Sequence, residues 1–195
     1  MISILQPQNE ALVEFKNSIM KGIVFSEFLD MVEGKFGLET VDEILNSPEL
    51  ASGGSYTAVG SYPHSEMVTL IVNLSDSTKV PVPDLLKAFG HYLFNTFYTN
   101  YPAFFENVKH PFDLLEQVDQ HIHVEVKKLY PDADLPRFET ERKDGEMTMI
   151  YRSERKMADL ALGLIEAAGE KYNTELNIET ELLEESGTVV KFKIS

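Results

Sequence analysis

The stretch "RFETERKDGEMTMIYRSERKM", residues 137–157, changes its pattern of apolar residues partway along. Its first part alternates polar and apolar residues on either side of Asp144-Gly145, a dipeptide typical of tight hairpin turns. In "KMADLALGLIEAAGEKYN" (156–173) the apolar residues follow a helical spacing instead. A second alternating pair follows in "ELNIETELLEESGTVVKFKI" (175–194). The order strand–strand–helix–strand–strand predicts a small four-stranded antiparallel sheet packed on helices.

The chain before residue 131 has apolar residues at steps of three and four. This spacing predicts helices in "MKGIVFSEFLDMVEGKFG" (20–37), "TVDEILNSPEL" (40–50) and "DLLKAFGHYLFNTFYTNYPAFF" (84–105). The segment "EMVTLIVNLSDSTK" (66–79) also favours a helix, although its TLIV run alone would fit a strand. Helices first and a small antiparallel sheet afterwards define the fold class α+β.

The composition excludes several classes of function. The chain has 195 residues, 43% of them apolar, and a formal net charge of −15 from 32 acidic and 17 basic residues. Nucleic acid and anionic lipid are bound largely through cationic side chains, so neither partner is expected. The absence of cysteine excludes disulfides and thiolate-bound metals. No apolar run is long enough to span a bilayer and the N-terminus lacks the pattern of a secretory signal, so a cytoplasmic protein is expected.

Tyr151, Ser153 and Arg155 are spaced two apart where the second predicted strand ends. Alternate residues of a strand share one face, so an extended chain would present two hydroxyls and a guanidinium together. Such a face suits a ligand with two carboxylates, because hydroxyls donate hydrogen bonds and arginine binds a carboxylate through two parallel N–H groups. An ordinary solvated strand edge is the alternative interpretation.

The segment "PFDLLEQVDQHIHVEVKKLY" (111–130) predicts one long helix with an apolar stripe. The stripe consists of Leu115, Val118, Ile122, Val126 and Leu129. His121 and His123 flank Ile122 on opposite sides of this stripe, so either imidazole could border a buried pocket or lie at the margin of a core face. The spacing does not choose between the two histidines.

Aromatic residues on the preceding helix could form a wall of such a pocket or belong to an ordinary core. They are Phe89, Phe94, Phe97, Phe104 and Phe105. One histidine beside an apolar pocket, together with a strand face that binds carboxylates, is the set of groups that a haem site requires. The iron needs an axial nitrogen, the porphyrin needs apolar walls, and the two propionates need cationic or hydroxyl partners.

Several of these segments together resemble the H-NOX family, haem domains that sense nitric oxide or oxygen and include the sensor domain of soluble guanylate cyclase. The resemblance covers residues 20–195 and is carried, in order, by "MKGIVFSEFLDMVEGKFG", "DLLKAFGHYLFNTF", "HVEVKKLYPDADLPRF", "YRSERKM" and "LGLIEAAG". It implies that the protein binds haem b, between a distal helical subdomain at about 20–83 and a proximal subdomain at about 84–195. Residues 1–19 precede the family's usual start at Met20, so they are either a real N-terminal extension or the result of an upstream start codon.

The resemblance also implies roles for particular residues. In the family, the axial histidine lies thirteen residues before a proline that presses on the porphyrin, which makes Pro136 that proline and His123 the axial ligand. His121 would then be a flanking residue. The other residues that the resemblance places against the haem are Tyr151, Ser153 and Arg155, as the propionate-binding triad, with Phe97 and Leu164.

The resemblance further implies a preference among gases. Oxygen-binding members stabilise bound O₂ with a tyrosine nine residues after the start of Y-x-S-x-R, supported by a tryptophan and an asparagine. Leu160, Phe28 and Leu93 occupy these three positions here, so the distal gas pocket would lack their hydrogen-bond donors. The expected ligands are therefore NO and also CO, without a stable O₂ complex.

The expected function is a stand-alone gas sensor that passes its signal to another protein. In bacterial members, the resemblance implies a histidine kinase or a cyclic-di-GMP enzyme as the partner. No H-E-x-x-H, P-loop or G-x-S-x-G motif is present, and no enzymatic activity is expected. Two alternatives from other classes remain open. One is a haem enzyme such as a peroxidase, which would need distal acid–base groups, and the other is a haem-free interaction module.

Overall fold

Helices form the first part of the chain in the computed structural model, which describes residues 18–195. Two short strands, β1 (Ile19–Lys21) and β2 (Ser61–Pro63), pair antiparallel beside them. The helices that precede the main sheet are α1 (Gly22–Phe36), α2 (Leu38–Leu45), α3 (His64–Thr78), α4 (Val82–Asn100), α5 (Pro111–Gln117) and α6 (His123–Leu129), with a 3₁₀ turn at Pro102–Phe104. The segment 66–79 is therefore helical, and its TLIV run is not a strand.

The long helix predicted over 111–130 is present, but it is not regular throughout. A π-helical turn at Val118–Ile122 separates α5 from α6. Such a turn holds its hydrogen bonds over five residues instead of four, so it rotates the following residues relative to those before it, and it is often found at functional sites. The apolar stripe continues through the turn, which is why the sequence spacing does not reveal it.

The C-terminal part forms the predicted sheet. Its strands are β3 (Arg137–Lys143), β4 (Glu146–Arg152), β5 (Ile178–Leu182) and β6 (Val189–Ile194), each antiparallel to its neighbours in the order β3-β4-β6-β5. The first hairpin turns at Asp144 and Gly145, whose φ angles of 53° and 87° suit the right-handed twist of the strands. Helix α7 (Ala158–Lys171) connects the hairpins and shares a core with the sheet. The predicted α+β fold with a four-stranded antiparallel sheet is confirmed.

The protein has more than one hydrophobic core. One core lies among the N-terminal helices and includes Phe28 and Phe89, both fully buried. A second lies between the sheet and α7 and includes Phe192 and Ile165. Each region therefore buries apolar side chains of its own.

Helices α4 and α7 bring these two regions into direct contact. A methyl group added at Gly90 of α4 would overlap the carbonyl oxygen of Leu160, and one at Gly163 of α7 would overlap the carbonyl oxygen of Lys87. Neither position has room for a Cβ atom, so the two backbones touch. This contact sets the separation of the two helices.

The first described residues already belong to the fold. Ile19 pairs with Pro63 in the small sheet, and the carbonyl oxygen of Ser18 accepts a hydrogen bond of 2.8 Å from the backbone N–H of His64. Both Ser18 and Ile19 fall within the predicted extension 1–19, whose residues 1–17 lie outside the described part of the chain. The β1–β2 pairing therefore starts one residue before the family-like segment that begins at Met20.

We expect Gly163→Ala to lower the free energy of unfolding by about 1–3 kcal/mol, because α4 and α7 must move apart to admit the methyl group. Gly34→Ala is the matched control, since Gly34 lies on an exposed part of α1 with nothing near its Cβ position. That change should raise stability by about 0.5–1 kcal/mol. Urea-unfolding curves would measure both effects. A Gly163→Ala protein as stable as the parent would contradict the backbone contact.

Candidate functional site

A cavity of about 320 Å³ lies between the two regions. Its volume is within the range of small-molecule sites, about 300–1,000 Å³. The apolar stripe predicted on 111–130 lines this cavity, and all of its members contribute to the wall: Leu115, Val118, Ile122, Val126 and Leu129. Leu115 also belongs to the core between the sheet and α7. The stripe ends at the rim, where Leu129 is 68% exposed.

Most residues implicated by the family resemblance come together in this cavity. The lining includes Leu93, Phe97, His123, Pro136, Tyr151, Ser153, Arg155, Leu160 and Leu164. Phe28 is not part of the lining. It is fully buried in the core of the N-terminal helices, where its ring meets that of Phe89 edge-on at 5.2 Å. Phe28 can therefore influence a ligand in the cavity only through intervening side chains.

The aromatic residues of α4 and the following turn divide into two groups. Phe94, Phe97, Phe104 and Phe105 line the cavity. Phe89 is fully buried among the N-terminal helices and takes no part in the lining. Four of the five aromatic residues considered from the sequence thus provide a wall, and the fifth is an ordinary core residue.

The structure distinguishes the two histidines of "HIHVEV". His123, the first residue of α6, lines the cavity with its side chain 17% exposed. His121 is exposed and lies outside the lining, with its ring edge-on to Phe104 at 6.2 Å. Only one of the two imidazoles is therefore placed to contact a ligand in the cavity.

The surroundings of His123 keep its imidazole neutral. Burial lowers the pKa of His123 below its usual value, and the opposing effects of Asp119 and of the Pro136 backbone do not reverse the shift. Nδ1 of the ring lies 3.4 Å from Oδ1 of Asp119. A neutral imidazole is the form that binds a metal ion, because its unprotonated nitrogen carries a free lone pair.

The shared strand face predicted for Tyr151, Ser153 and Arg155 is wrong, because β4 ends at Arg152. A turn follows, in which the backbone N–H of Arg155 donates to Oγ of Ser153 at 3.2 Å. The hydroxyl of Tyr151 accepts a hydrogen bond of 3.0 Å from the backbone N–H of Met157. All three side chains nevertheless line the cavity. The turn between β4 and α7, and not strand alternation, brings them together.

Arg155 also connects the cavity to the first strand of the protein. Its Nη2 lies 3.3 Å from Oδ2 of Asp134 and donates to the carbonyl oxygens of Asp134 and Ile19, while its Nε donates to Oγ of Ser18 at 3.2 Å. Burial lowers the pKa of Arg155, and the nearby carboxylate of Asp134 opposes this effect. The guanidinium keeps its positive charge at neutral pH, because arginine is so strongly basic.

Asp132 forms a second tie between the same loop and the small sheet. Its carboxylate lies 2.8 Å from Nζ of Lys21 and accepts a hydrogen bond of 3.0 Å from Oγ of Ser61. Asp132 and Asp134 both lie on the loop between α6 and β3 that carries Pro136. Sequence reasoning missed these contacts, because two aspartates among many acidic residues give no distinguishing signal.

His64 lies near this network and was also missed from the sequence. It is 3% exposed, and its Nε2 has no hydrogen-bond partner among residues 18–195. Burial, reinforced by the positive charge of Arg155, lowers the pKa of His64 to about 4, although Asp134 acts in the opposite direction. The imidazole of His64 is therefore uncharged at neutral pH.

A family model for haem-NO-binding proteins (HNOB) matches residues 21–180 of the chain. The chain belongs to the haem-NO-binding, or H-NOX, family. The resemblance noted in the sequence is thereby confirmed. Members of this family bind haem and act as gas-sensing domains rather than as enzymes. No match to the chain is found among curated proteins.

Solved H-NOX structures share the fold over most of their length. The Fe(II) unliganded H-NOX protein from K. algicida is 46% identical over 90% of this chain and 95% of that one, with a TM-score of 0.85. The IWP-051-bound H-NOX from Shewanella woodyi, in the Fe(II)CO state, is 40% identical over 90% and 94%, with a TM-score of 0.77. An H-NOX protein from S. oneidensis in the Fe(II)NO state is 26% identical over 90% and 98%, with a TM-score of 0.81.

The side chains of the cavity fit a haem better than a bare metal ion. Within residues 18–195, no group of three or more His, Cys, Asp or Glu side chains is arranged to hold a metal. A metal held by His123 would therefore need its other ligands from a bound group, as a porphyrin provides.

Within residues 18–195, no helix combines the length and apolar character that crossing a membrane requires.

His64 should make the haem-free protein sensitive to acid. Its pKa in the folded protein, about 4, is below the ordinary 6.5, so the unfolded chain takes up this proton first as the pH falls. Above pH 6.5 the uncharged His64 makes its full contribution to the stability of the folded protein. This contribution, about 3 kcal/mol in total, is lost as the pH falls from 6.5 to about 4.

Urea unfolding at about pH 7.5 and about pH 5 would measure this loss of stability. The variant His64→Leu should lose less stability than the parent between these two conditions, because it has no proton to take up at this position. His121→Leu, which changes an exposed histidine, is the control and should behave like the parent. Equal losses in the parent and in His64→Leu would contradict the assignment.

Proposed function

We propose that the cavity binds haem b and that the protein uses this group to sense nitric oxide, with carbon monoxide as a second ligand. The observation that carries the proposal is the position of His123, whose largely buried, neutral imidazole lines an apolar cavity. Membership of the H-NOX family supports haem as the bound group. Hydroxyl and guanidinium groups in the same lining supply the partners that two propionates need.

Different residues would contact the iron, the propionates and the porphyrin ring of the haem. His123 would hold the haem iron through a ring nitrogen, and the iron would supply the gas-binding position. Arg155 is already held in place by Asp134 and Ser18, so little side-chain freedom is lost when it binds a carboxylate. The other proposed contacts are Tyr151 and Ser153 with the propionates, and Pro136, Phe97 and Leu164 with the porphyrin.

The distal side favours NO and CO over O₂. Leu93 and Leu160 line the cavity and have no hydrogen-bond donor to offer a bound gas. Bound O₂ is polar and depends on such a donor, whereas NO and CO bind ferrous iron without one. The Fe(II)NO and Fe(II)CO states of two relatives support this choice. Two leucines also lack the acid–base groups that a peroxidase would need.

The proposed output is a change in the relation between the distal subdomain, about 20–83, and the proximal subdomain, about 84–195. His123 lies on α6. The loop that follows α6 is fastened to β1 and β2 through Asp132, and to Ser18, directly before β1, through Asp134. A displacement of α6 would therefore reach the distal part through this loop. A cytoplasmic histidine kinase or cyclic-di-GMP enzyme would respond if it bound the two states unequally, and a tenfold response requires about 1.4 kcal/mol.

His123→Gly should abolish or strongly weaken haem binding, and added imidazole should restore it, because the small ligand replaces the missing nitrogen. His121→Gly is the matched control and should keep the parent's ferrous absorption spectrum. Titration of the haem-free proteins with haem, followed through the Soret band, measures both. Loss of haem from His121→Gly with retention by His123→Gly would overturn the ligand assignment, and no Soret band in any variant would favour a haem-free module.

The ferrous parent protein should bind NO and CO but form no stable complex with O₂ in air, as absorption spectra would show. Leu160→Tyr places a hydroxyl donor in the distal cavity and should slow the loss of bound O₂. Leu93→Asn added to that variant should strengthen the effect by supporting the tyrosine. A stable O₂ spectrum in the unmodified protein would contradict the proposed selectivity.

Asp132→Asn should reduce the effect of NO on a partner enzyme, because it weakens one tie between the loop and the small sheet. The activity of a candidate kinase or cyclic-di-GMP enzyme is measured with the sensor present, with and without NO. The absorption spectrum should stay unchanged, since Asp132 does not line the cavity. If NO changes neither the activity nor the affinity of any partner, the protein is better described as an NO store.

A further inference from the structure

The π-helical turn places a carboxylate between His123 and the sheet. Asp119 is the second residue of this turn, and its Oδ1 lies 3.4 Å from Nδ1 of His123. The same oxygen accepts a hydrogen bond of 3.4 Å from the backbone N–H of Phe138. Phe138 is the second residue of β3, and its ring lies 5.8 Å from that of His123. One carboxylate oxygen therefore connects the imidazole to the edge strand of the sheet.

We propose that Asp119 is a positioning residue, which holds the His123 imidazole as the tautomer with its proton on Nδ1 and couples the ring to β3. The inference rests on the proposed function, in which His123 is the ligand of the haem iron. It deepens that function by naming the residue that sets how the ligand is presented and the strand to which its movement is passed.

The chemistry of the two groups determines the tautomer. A carboxylate can only accept hydrogen bonds, and a neutral imidazole has one N–H donor and one lone pair. With the proton on Nδ1, the ring donates to Asp119 and leaves the lone pair of Nε2 free for a metal. With the proton on Nε2, two lone pairs would face each other across 3.4 Å. Two other groups act on the ring: Lys127 opposes its protonation and the Pro136 backbone favours it, each less strongly than Asp119.

A carboxylate in this position also increases the electron density of the imidazole. Hydrogen-bond partners of metal-binding histidines raise the basicity of the ligand, and their removal commonly costs about 10–100-fold in metal affinity. Asp119 should therefore strengthen the bond between His123 and the iron. Because the Phe138 amide shares the same oxygen, any shift of the imidazole changes a hydrogen bond at the start of β3.

The first test uses the haem-free protein and does not depend on the iron. Long-range proton–nitrogen NMR spectra identify which ring nitrogen of His123 carries the proton. The parent should show the proton on Nδ1, whereas Asp119→Ala and Asp119→Asn should shift the population toward Nε2 and move the amide resonance of Phe138. Glu125→Gln is the control, since Glu125 is a carboxylate of the same segment that pairs with Lys128 instead.

The second test uses the ferrous haem-loaded proteins. The iron–histidine stretching frequency, read by resonance Raman spectroscopy, should fall in both Asp119 variants, and haem should dissociate about 10–100-fold faster than from the parent. Glu125→Gln should match the parent in both. If Asp119→Ala does not fold, the isosteric Asp119→Asn decides the outcome.

The proposal is overturned if folded Asp119 variants keep the parent's His123 tautomer and iron–histidine frequency, or if Glu125→Gln alters them equally. Failure of the proposed function would look different. In that case His123→Gly would retain haem, while the tautomer in the haem-free protein could still change with Asp119.

Discussion

The direct contact between the backbones of α4 and α7 is the constraint on which the cavity depends. At Gly90 and Gly163 neither helix has room for a side chain, so the separation of the two helices is set by main-chain atoms that cannot adjust. Phe97 follows Gly90 on the same helix, Leu164 comes directly after Gly163, and both line the cavity. An apolar space of about 320 Å³ lies between the two regions, each of which has a core of its own.

Polar contacts perform a different task from this packing. Asp132 and Asp134 fasten the loop before β3 to the strand that begins at Ile19, through partners far away in the chain. Individual ion pairs with an exposed member contribute little to stability. Here these contacts fix positions instead: they hold the loop that carries Pro136, and Asp134 holds the side chain of Arg155 in place. The proposed propionate site and the first strand of the fold therefore share one guanidinium.

The π-helical turn is a local irregularity in a chain that otherwise follows simple periodicity. Departures from regular local structure are expected mainly where function requires them. Here the irregular turn lies immediately before His123 and includes Asp119, which contacts both that imidazole and the backbone of Phe138. A regular helix over the same residues would have presented its side chains in a different rotational order. The proposed iron ligand and the sheet are connected at the one place where the helix is irregular.

From the sequence alone, the fold class, the hairpin at Asp144 and Gly145 and the family could be determined, because hydrophobic periodicity, turn chemistry and the order of motifs are local properties of the chain. The same information placed Tyr151, Ser153 and Arg155 on one strand face, although a turn brings them together instead. Only the tertiary structure showed that Phe28 lies outside the cavity lining, that His64 is buried and that Asp119 contacts His123. Contacts such as that between Ser18 and Asp134 join residues 116 positions apart. They leave no periodic trace in the sequence, because they arise only when separately formed elements pack against each other.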